Sequence, residues 1–160
     1  MAAFRNIYNA VTLIEMLIVV AIIALLATMI LTVVVRIDNQ SKEKNLHGIF
    51  TLLDSALHEY HTYIGKFPDQ PEKNYANAII HIEQLYADLH SIPSSRTVLE
   101  KLNDAFLKNK AGAPDKPEIY DPWGSVLDYR YTPGDNFPEI FSAGKDKRFD
   151  TPDDITSKTN

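Results

Sequence analysis

VTLIEMLIVVAIIALLATMILTVVVR, residues Val11 to Arg36, decides how the rest of the chain is read. Between Arg5 and Arg36 the only charged residue is Glu15. The 20 residues from Met16 to Val35 carry no charge, and Thr28 and Thr32 are their only polar members. About 20 apolar residues are what a helix needs to cross the hydrocarbon core of a bilayer. A helix inside a water-soluble domain is rarely this long and this apolar on every side. Hydrocarbon also compels the helix, because a backbone there must satisfy its own hydrogen bonds. The β-branched residues lower helix propensity only weakly, and context overrides them.

Glu15 is the odd residue. A charge at the centre of a membrane helix costs about 2.5–3.5 kcal/mol on insertion scales, and less toward an end. Glu15 stands near the N-terminal end, and physics leaves two readings open. Its carboxylate lies at the headgroup level without a role, or it meets a positive partner inside an assembly of such helices. A secretory signal peptide fits poorly, since its apolar region runs about 7–15 residues and a small-residue cleavage site follows it. Here the run is longer, and Ala24-Leu25-Leu26-Ala27 lies inside it. An ordinary signal anchor remains an alternative. Arg5 favours a cytoplasmic N-terminus.

Outward from this stretch, the residues after Arg36 turn polar without a Pro or Gly to stop a helix. Leu46, Ile49, Phe50, Leu53, Leu57, Tyr60 and Ile64 then recur in steps of three and four, which makes one apolar stripe. The spacing predicts one helix from the membrane segment to about Ile64, amphipathic only in its second half. Gly65 supplies a left-handed stop and Pro68 follows. Ala76 to His90 reads as a second helix on Ile79, Ile82, Leu85, Tyr86 and Leu89, and Pro93 to Lys108 as a third on Val98, Leu99, Leu102 and Phe106. Residues 111–117, AGAPDKP, read as a loop.

The C-terminal part changes period. Asp121-Pro122-Trp123-Gly124 is a turn, with Pro supplying its preset φ. Trp123, the sole tryptophan, is expected to fill the gap between a sheet and the long helix. Val126–Thr132 and Phe137–Ser142 read as two strands of an antiparallel hairpin joined at 133–136, with Pro138 marking an edge strand.

Composition bounds the function. A chain of 160 residues, less a leader and a membrane span, leaves enough for one small domain. The net charge of −5 and the absence of a basic run argue against a nucleic-acid surface. Without cysteines there is no disulfide and no thiolate metal site. His58 and His61 are three apart on a helix, a spacing that can chelate, yet no third ligand supports them and no HExxH is present. Packing or solvated roles suit them better, and His47, His81 and His90 are scattered. No GxSxG elbow or phosphate-binding Gly-rich loop occurs, so the chain carries no enzyme signature.

Residues 142–155, SAGKDKRFDTPDDI, crowd Asp146, Asp150, Asp153 and Asp154 onto a loop with Gly144 for a tight bend. Hard oxygen donors suit Ca²⁺, which takes 6–8 of them at about 2.3–2.6 Å. It is not an EF-hand, and a solvated acidic loop partly neutralised by Lys145, Lys147 and Arg148 is the plainer alternative.

Two sets of residues carry a resemblance. Ala10 and Val11 followed by Thr12-Leu13-Ile14-Glu15 and a long apolar helix resemble the processing site of type IV pilins and pseudopilins, with Ala10 in place of the usual Gly and Val11 in place of the usual Phe. Gly65-Lys66-Phe67-Pro68, then DPWG at 121–124, Tyr129-Arg130-Tyr131, Pro133-Gly134, Ser142-Ala143-Gly144-Lys145-Asp146 and Asp153-Asp154-Ile155, resemble the ordered pattern of the major pseudopilin of type II secretion. The likeness covers residues 11–68 and 120–155. It implies cleavage between Ala10 and Val11 by a prepilin peptidase, methylation of the new amine, and pairing of Glu15 with the Val11 amine of a neighbouring subunit. It also implies calcium held by Asp146 and Asp154 with backbone carbonyls at Ser142 and near Arg148, and Asp150 or Asp153 as substitutes. Lys147 stands where that family usually has Gly. No Pro stands near Thr32, where the family usually has one, so melting of the helix during assembly would fall to the run Thr32-Val33-Val34-Val35.

The expected fold is therefore α+β and type IV pilin-like, a long N-terminal helix packed on a small C-terminal antiparallel sheet. Residues 1–10 form a leader, 11–35 the transmembrane half of the helix, and 36–160 a periplasmic head. Within the head, 69–117 is a helical insert and 118–155 the sheet with its acidic loop. The expected protein is a single-pass inner-membrane, non-enzymatic subunit of a helical homo-oligomeric pseudopilus. Its partners would be minor pseudopilins, the inner-membrane secretion platform and the prepilin peptidase. The alternatives are a type IV or competence pilus subunit for adhesion or DNA uptake, and a membrane-anchored periplasmic binding or enzyme domain.

Overall fold

The computed structural model describes residues 12–112 and 114–158. The chain divides into two units, residues 1–41 and 42–160. The first helix, α1, is Leu13–Ile64, 52 residues without interruption, and it ends where the sequence placed its stop. Gly65 takes a φ of 85° and its N–H donates to the His61 carbonyl at 2.8 Å. A Cβ disfavours that left-handed conformation, so Gly is the residue that ends the helix cleanly.

In the first unit, Leu13–Ile30 is long and apolar enough to cross a membrane. Its apolar side chains are exposed, from 83% at Leu13 to 50% at Val19, so nothing within the unit covers them. Thr28 turns its hydroxyl back onto the Leu25 carbonyl at 2.8 Å, which removes the cost of a polar group in an apolar segment.

In the second unit the predicted stripe forms the core. Leu46, Ile49, Phe50, Leu53 and Leu57 of α1 are buried, Tyr60 is half-buried, and Ile64 is exposed, so the stripe closes one turn earlier than its spacing suggests. Each fully buried Leu, Ile or Phe stabilises by about 1.5–3 kcal/mol. The opposing side of the core comes from α2 (Ala78–Ser91) through Ile82, Leu85 and Leu89, and from the strands through Ile119, Leu127, Tyr129 and Ile140.

A short helix, α3, is Pro93–Leu99, with Pro at its start as expected and Ser95 donating its hydroxyl to the Ala56 carbonyl of α1. It does not reach Lys108. After Leu99 the bonds tighten to three-residue turns, Lys101 N–H to Val98 and Leu102 N–H to Leu99. The Asn103 side chain then accepts from the Ala105 N–H at 2.8 Å, a local turn that competes with helix. Leu102 and Phe106 still point to the core, so their helical spacing served a turn. The chain next forms β1 (Leu107–Lys108), which pairs antiparallel with β2 (Glu118–Ile119), a small sheet the apolar pattern did not announce.

The second sheet holds β3 (Asp128–Arg130), β4 (Glu139–Ser142) and β5 (Ile155–Thr156), all antiparallel in that order. The predicted hairpin is β3–β4, with shorter strands. Pro138 does not mark an edge: β4 is the central strand, and Pro138 lies just before its first residue. The N–H that Pro lacks is therefore never required by the ladder. β5 follows the acidic loop, and the Ser157 N–H donates to the Ile140 carbonyl at 2.9 Å. Beyond β3, Gln70 and Tyr131 exchange N–H bonds to each other's carbonyls, at 3.0 and 2.8 Å.

Candidate functional site

Two regions hold the residues singled out by sequence, one in each unit. At the start of α1, Thr12 is the N-cap. Its N–H and its hydroxyl both donate to Glu15 Oε2 at 2.9 Å, and the Glu15 N–H returns to Thr12 Oγ1 at 3.3 Å. This is a reciprocal capping box, T-x-x-E, which satisfies otherwise orphaned donors of the first turn. The favourable end of the helix dipole also favours a carboxylate there. Sequence reading saw the charge and missed the cap, although Thr12-x-x-Glu15 is its signature. Ala10 and Val11 lie outside the described residues.

The acidic loop joins β4 to β5. Three of its residues are left-handed: Gly144 at φ 63°, Lys147 at 62° and Asp150 at 65°. Lys147 thus keeps the backbone that a Gly would adopt at no cost. A Cβ on Gly144 would overlap the Asp153 carbonyl, so that bend requires Gly. The carboxylates hold the loop's own backbone. Asp153 Oδ2 accepts from the Asp146 N–H at 3.0 Å, Asp146 Oδ1 from the Arg148 N–H at 2.8 Å, and Asp154 Oδ2 from the Asp150 N–H at 2.8 Å. Thr151 donates its hydroxyl to Asp153 Oδ1 at 2.8 Å.

These contacts set the protonation tendencies. The Asp146 N–H and the Thr151 hydroxyl hold the Asp153 carboxyl below the usual range. Burial pushes Asp154 up. The N–H groups of Asp150 and Thr151 oppose that, while the nearby charges of Asp150 and Asp153 add to it.

The loop is anchored through the DPWG turn. Asp121 Oδ1 accepts from the N–H groups of Trp123 and Ser125 at 3.0 and 2.8 Å, and Asp121 Oδ2 accepts from the buried Ser142 hydroxyl at 2.7 Å. Ser142 is thereby fixed at the mouth of the loop, with its backbone in the β4–β5 ladder. Trp123 is half-buried against the core and shares a cavity of about 200 Å³ with Glu43 of α1, Lys145 and Asp154, so it sits between α1 and the acidic loop.

Among the described residues no three His, Cys, Asp or Glu side chains are grouped closely enough to hold a metal by themselves. The calcium arrangement implied by the resemblance needs only two carboxylates and backbone carbonyls. The donor set here is all hard oxygen, which suits a divalent cation, and the charges of Asp150 and Asp153 add to the burial that raises Asp154.

His58 packs against Phe137 with ring centroids 4.7 Å apart, and His61 against Phe67 at 4.4 Å, both rings tilted. His81, read as scattered, is the histidine that matters structurally. It is buried, with Nδ1 2.6 Å from Asp128 Oδ1 and Nε2 3.2 Å from Glu72 Oε2. The Arg130 Nε–H in turn donates to Asp128 Oδ2 at 2.9 Å. A one-dimensional pattern gives no sign of this chain, because its members come from three separate segments.

Residues 5–31 match the prokaryotic N-terminal methylation motif. No curated protein and no solved structure matches the chain. The motif spans Ala10, Val11, Thr12 and Glu15 and, with the apolar helix, supports a membrane-anchored, single-pass, type IV pilin-like chain. Such a chain is a prepilin peptidase substrate and a subunit of a membrane-associated pilus or pseudopilus.

Proposed function

We propose that the chain is a major pseudopilin: a structural, non-enzymatic subunit of the pseudopilus that drives type II protein secretion. The acidic loop carries this reading beyond a general pilin-like subunit. It lies between β4 and β5, bends at left-handed Gly144, Lys147 and Asp150, and is tied by Ser142 to the Asp121 turn. Lys147, at the position where that family usually has Gly, keeps the left-handed backbone a Gly would adopt, which supports the reading.

On this reading the peptidase cuts between Ala10 and Val11, and the Val11 amine is methylated. Glu15 pairs with that amine on a neighbouring subunit, and subunits stack by α1 into a helical filament. The N-terminus faces the cytoplasm, the second unit lies in the periplasm, and minor pseudopilins and the inner-membrane platform are the partners. Asp146 and Asp154 would hold calcium with backbone carbonyls at Ser142 and near Arg148, with Asp150 or Asp153 as substitutes. Calcium bound there supplies positive charge that offsets carboxylate repulsion.

The test has two arms. The full chain is co-expressed with a prepilin peptidase and the product weighed; a mature form starting at methylated Val11 is expected, and an uncut chain refutes the processing step. Purified full chain in detergent is then melted with calcium and with a chelator. A ligand that binds only the folded state at a hundred times its Kd stabilises by about 2.7 kcal/mol. No shift removes the calcium-dependent pseudopilin and leaves a general pilin-like subunit.

A further inference from the structure

We propose that Tyr75 is a positioning residue for the acidic loop, clamping Phe149 against a buried ion chain so that the loop is held ready for a cation; the inference rests on the calcium reading above. Phe149 lies in the middle of the loop, between Arg148 and Asp150. From Lys145 to Asp150 it is the one residue that is not exposed. Its ring lies on Tyr75 with centroids 4.2 Å apart and planes only 6° from parallel. The other face of Tyr75 meets the Arg130 guanidinium, whose central carbon is 3.9 Å from the ring centroid. Arg130 also lies 4.7 Å from the Phe141 ring, and its Nε–H is taken by Asp128. Asp128, in turn, is fixed by the buried His81.

The contacts make one continuous strut from α2 to the loop: His81, Asp128, Arg130, Tyr75, Phe149. The loop needs such a strut. Two of its non-glycine residues, Lys147 and Asp150, are left-handed on either side of Phe149, a conformation an L-residue keeps only when its surroundings enforce it. Its carboxylates repel, and the Tyr75–Phe149 stack adds to the loop's own hydrogen bonds in resisting that repulsion. A cation meeting a pre-shaped loop loses less affinity to ordering than one that must fold the loop first. Reciprocity follows: calcium on the loop also steadies the segment carrying Tyr75.

Full chain in detergent is titrated with calcium, read by the fluorescence of Trp123, beside Tyr75→Leu, Tyr75→Phe and Phe149→Leu. Trypsin cleavage at Lys145, Lys147 and Arg148 gives a second readout. Tyr75→Leu is expected to weaken calcium binding about tenfold, the order of a lost aromatic stack with a cation–π contact. It should also need correspondingly more calcium to resist trypsin. Tyr75→Phe keeps both faces of the ring and should bind within about twofold of the parent. A parent that ignores calcium overturns the calcium reading and this inference together. A parent that binds, with Tyr75→Leu binding equally well, overturns this inference alone. Equal weakening in Tyr75→Phe and Tyr75→Leu also overturns it, because the hydroxyl rather than the clamp would then matter. Should Tyr75→Leu fail to fold, Phe149→Leu decides, since it leaves Tyr75 on Arg130 and removes only the loop's side of the stack.

Discussion

Replacing Glu118 by Gln removes a buried charge around which the 110–112 backbone is wrapped. Glu118 is fully buried in β2, and its carboxylate accepts three successive N–H groups: Lys110 on Oε2 at 2.9 Å, and Ala111 and Gly112 on Oε1 at 3.0 and 2.7 Å. Gln keeps one acceptor and turns an NH₂ toward the other donors. The cheaper orientation gives the oxygen to Ala111 and Gly112 and strands Lys110. A hydrogen bond to a charged group contributes about 1.5–3 kcal/mol, and the two that remain weaken when the charge goes. We expect a loss of about 2–4 kcal/mol, which at roughly 4 °C per kcal/mol for a unit of this size lowers Tm by about 8–16 °C at pH 7. Circular dichroism of the full chain in detergent measures it. Acidification supplies a second check. Burial works to raise the Glu118 carboxyl, but the N–H groups of Ala111, Lys110 and Gly112, with its own N–H, outweigh it and hold it below its ordinary 4.5. The folded state thus favours the carboxylate. Its stability is present above the ordinary value and is lost as pH falls through the lowered one. The gap between parent and Glu118→Gln should therefore close in acid. A variant within about 2 °C of the parent at pH 7, or a gap that widens on acidification, would refute the account.

Asp121 should behave in the opposite way. Burial pushes its carboxyl up despite the Ser142, Ser125, Gly124 and Trp123 donors, so its contribution falls as pH rises through the raised value. Asp121→Asn should then cost under about 1.5 kcal/mol at pH 7, far less than Glu118→Gln, in the same melts. Lys147→Gly removes left-handed strain worth about 1–2 kcal/mol, part of which glycine's extra unfolded-state freedom cancels; Tm should rise by about 2–4 °C. Gly144→Ala forces both a left-handed Ala and an overlap with the Asp153 carbonyl, and a drop of at least about 2 kcal/mol in chemical denaturation is expected. A silent Gly144→Ala would show that the loop relaxes freely.

What the sequence revealed follows from what is local or periodic. The end of α1 at Ile64 was legible because Gly65 and Pro68 are one-residue signals of backbone geometry. The α1 stripe was legible because its buried members, Leu46, Ile49 with Phe50, Leu53, and Ala56 with Leu57, return to one face every three to four residues. By contrast, β1–β2 and β5 are two-residue strands whose existence depends on what they pair with, so no period marks them. The third helix was overread because turns at 100–106 place Leu102 and Phe106 inward just as a helix would. Pro138 was misread for a related reason. A proline limits which N–H can pair, but it cannot say whether pairing begins one residue later. At the candidate site the acidic residues were visible as a cluster. Asp121 was visible as a turn residue but its tie to Ser142 was not, and the parts of Thr151, Tyr75 and the His81–Asp128–Arg130 chain were invisible, since each is joined to the loop or its support by folding.

The capping box changes how Glu15 should be understood. A charge in an apolar helix was first explicable only by the headgroup layer or a positive partner. The structure adds a third explanation within one chain, because Thr12 donates to the carboxylate twice. That weakens the inference from the charge alone to an assembly. It strengthens the geometric side of the proposed mechanism. With a cut between Ala10 and Val11, the cap keeps the Glu15 carboxylate at the first turn, beside the new chain end and aligned with the helix dipole. An incoming amine meets an acceptor already oriented, and in apolar surroundings such a charge pair is much stronger than in water. The two donors on Glu15 Oε2 hold the carboxylate in place without removing its charge. Thr12→Val should therefore leave cleavage intact while reducing the yield of assembled filament. Filament yield equal to the parent's would show that the neighbour's amine, and not the cap, positions Glu15.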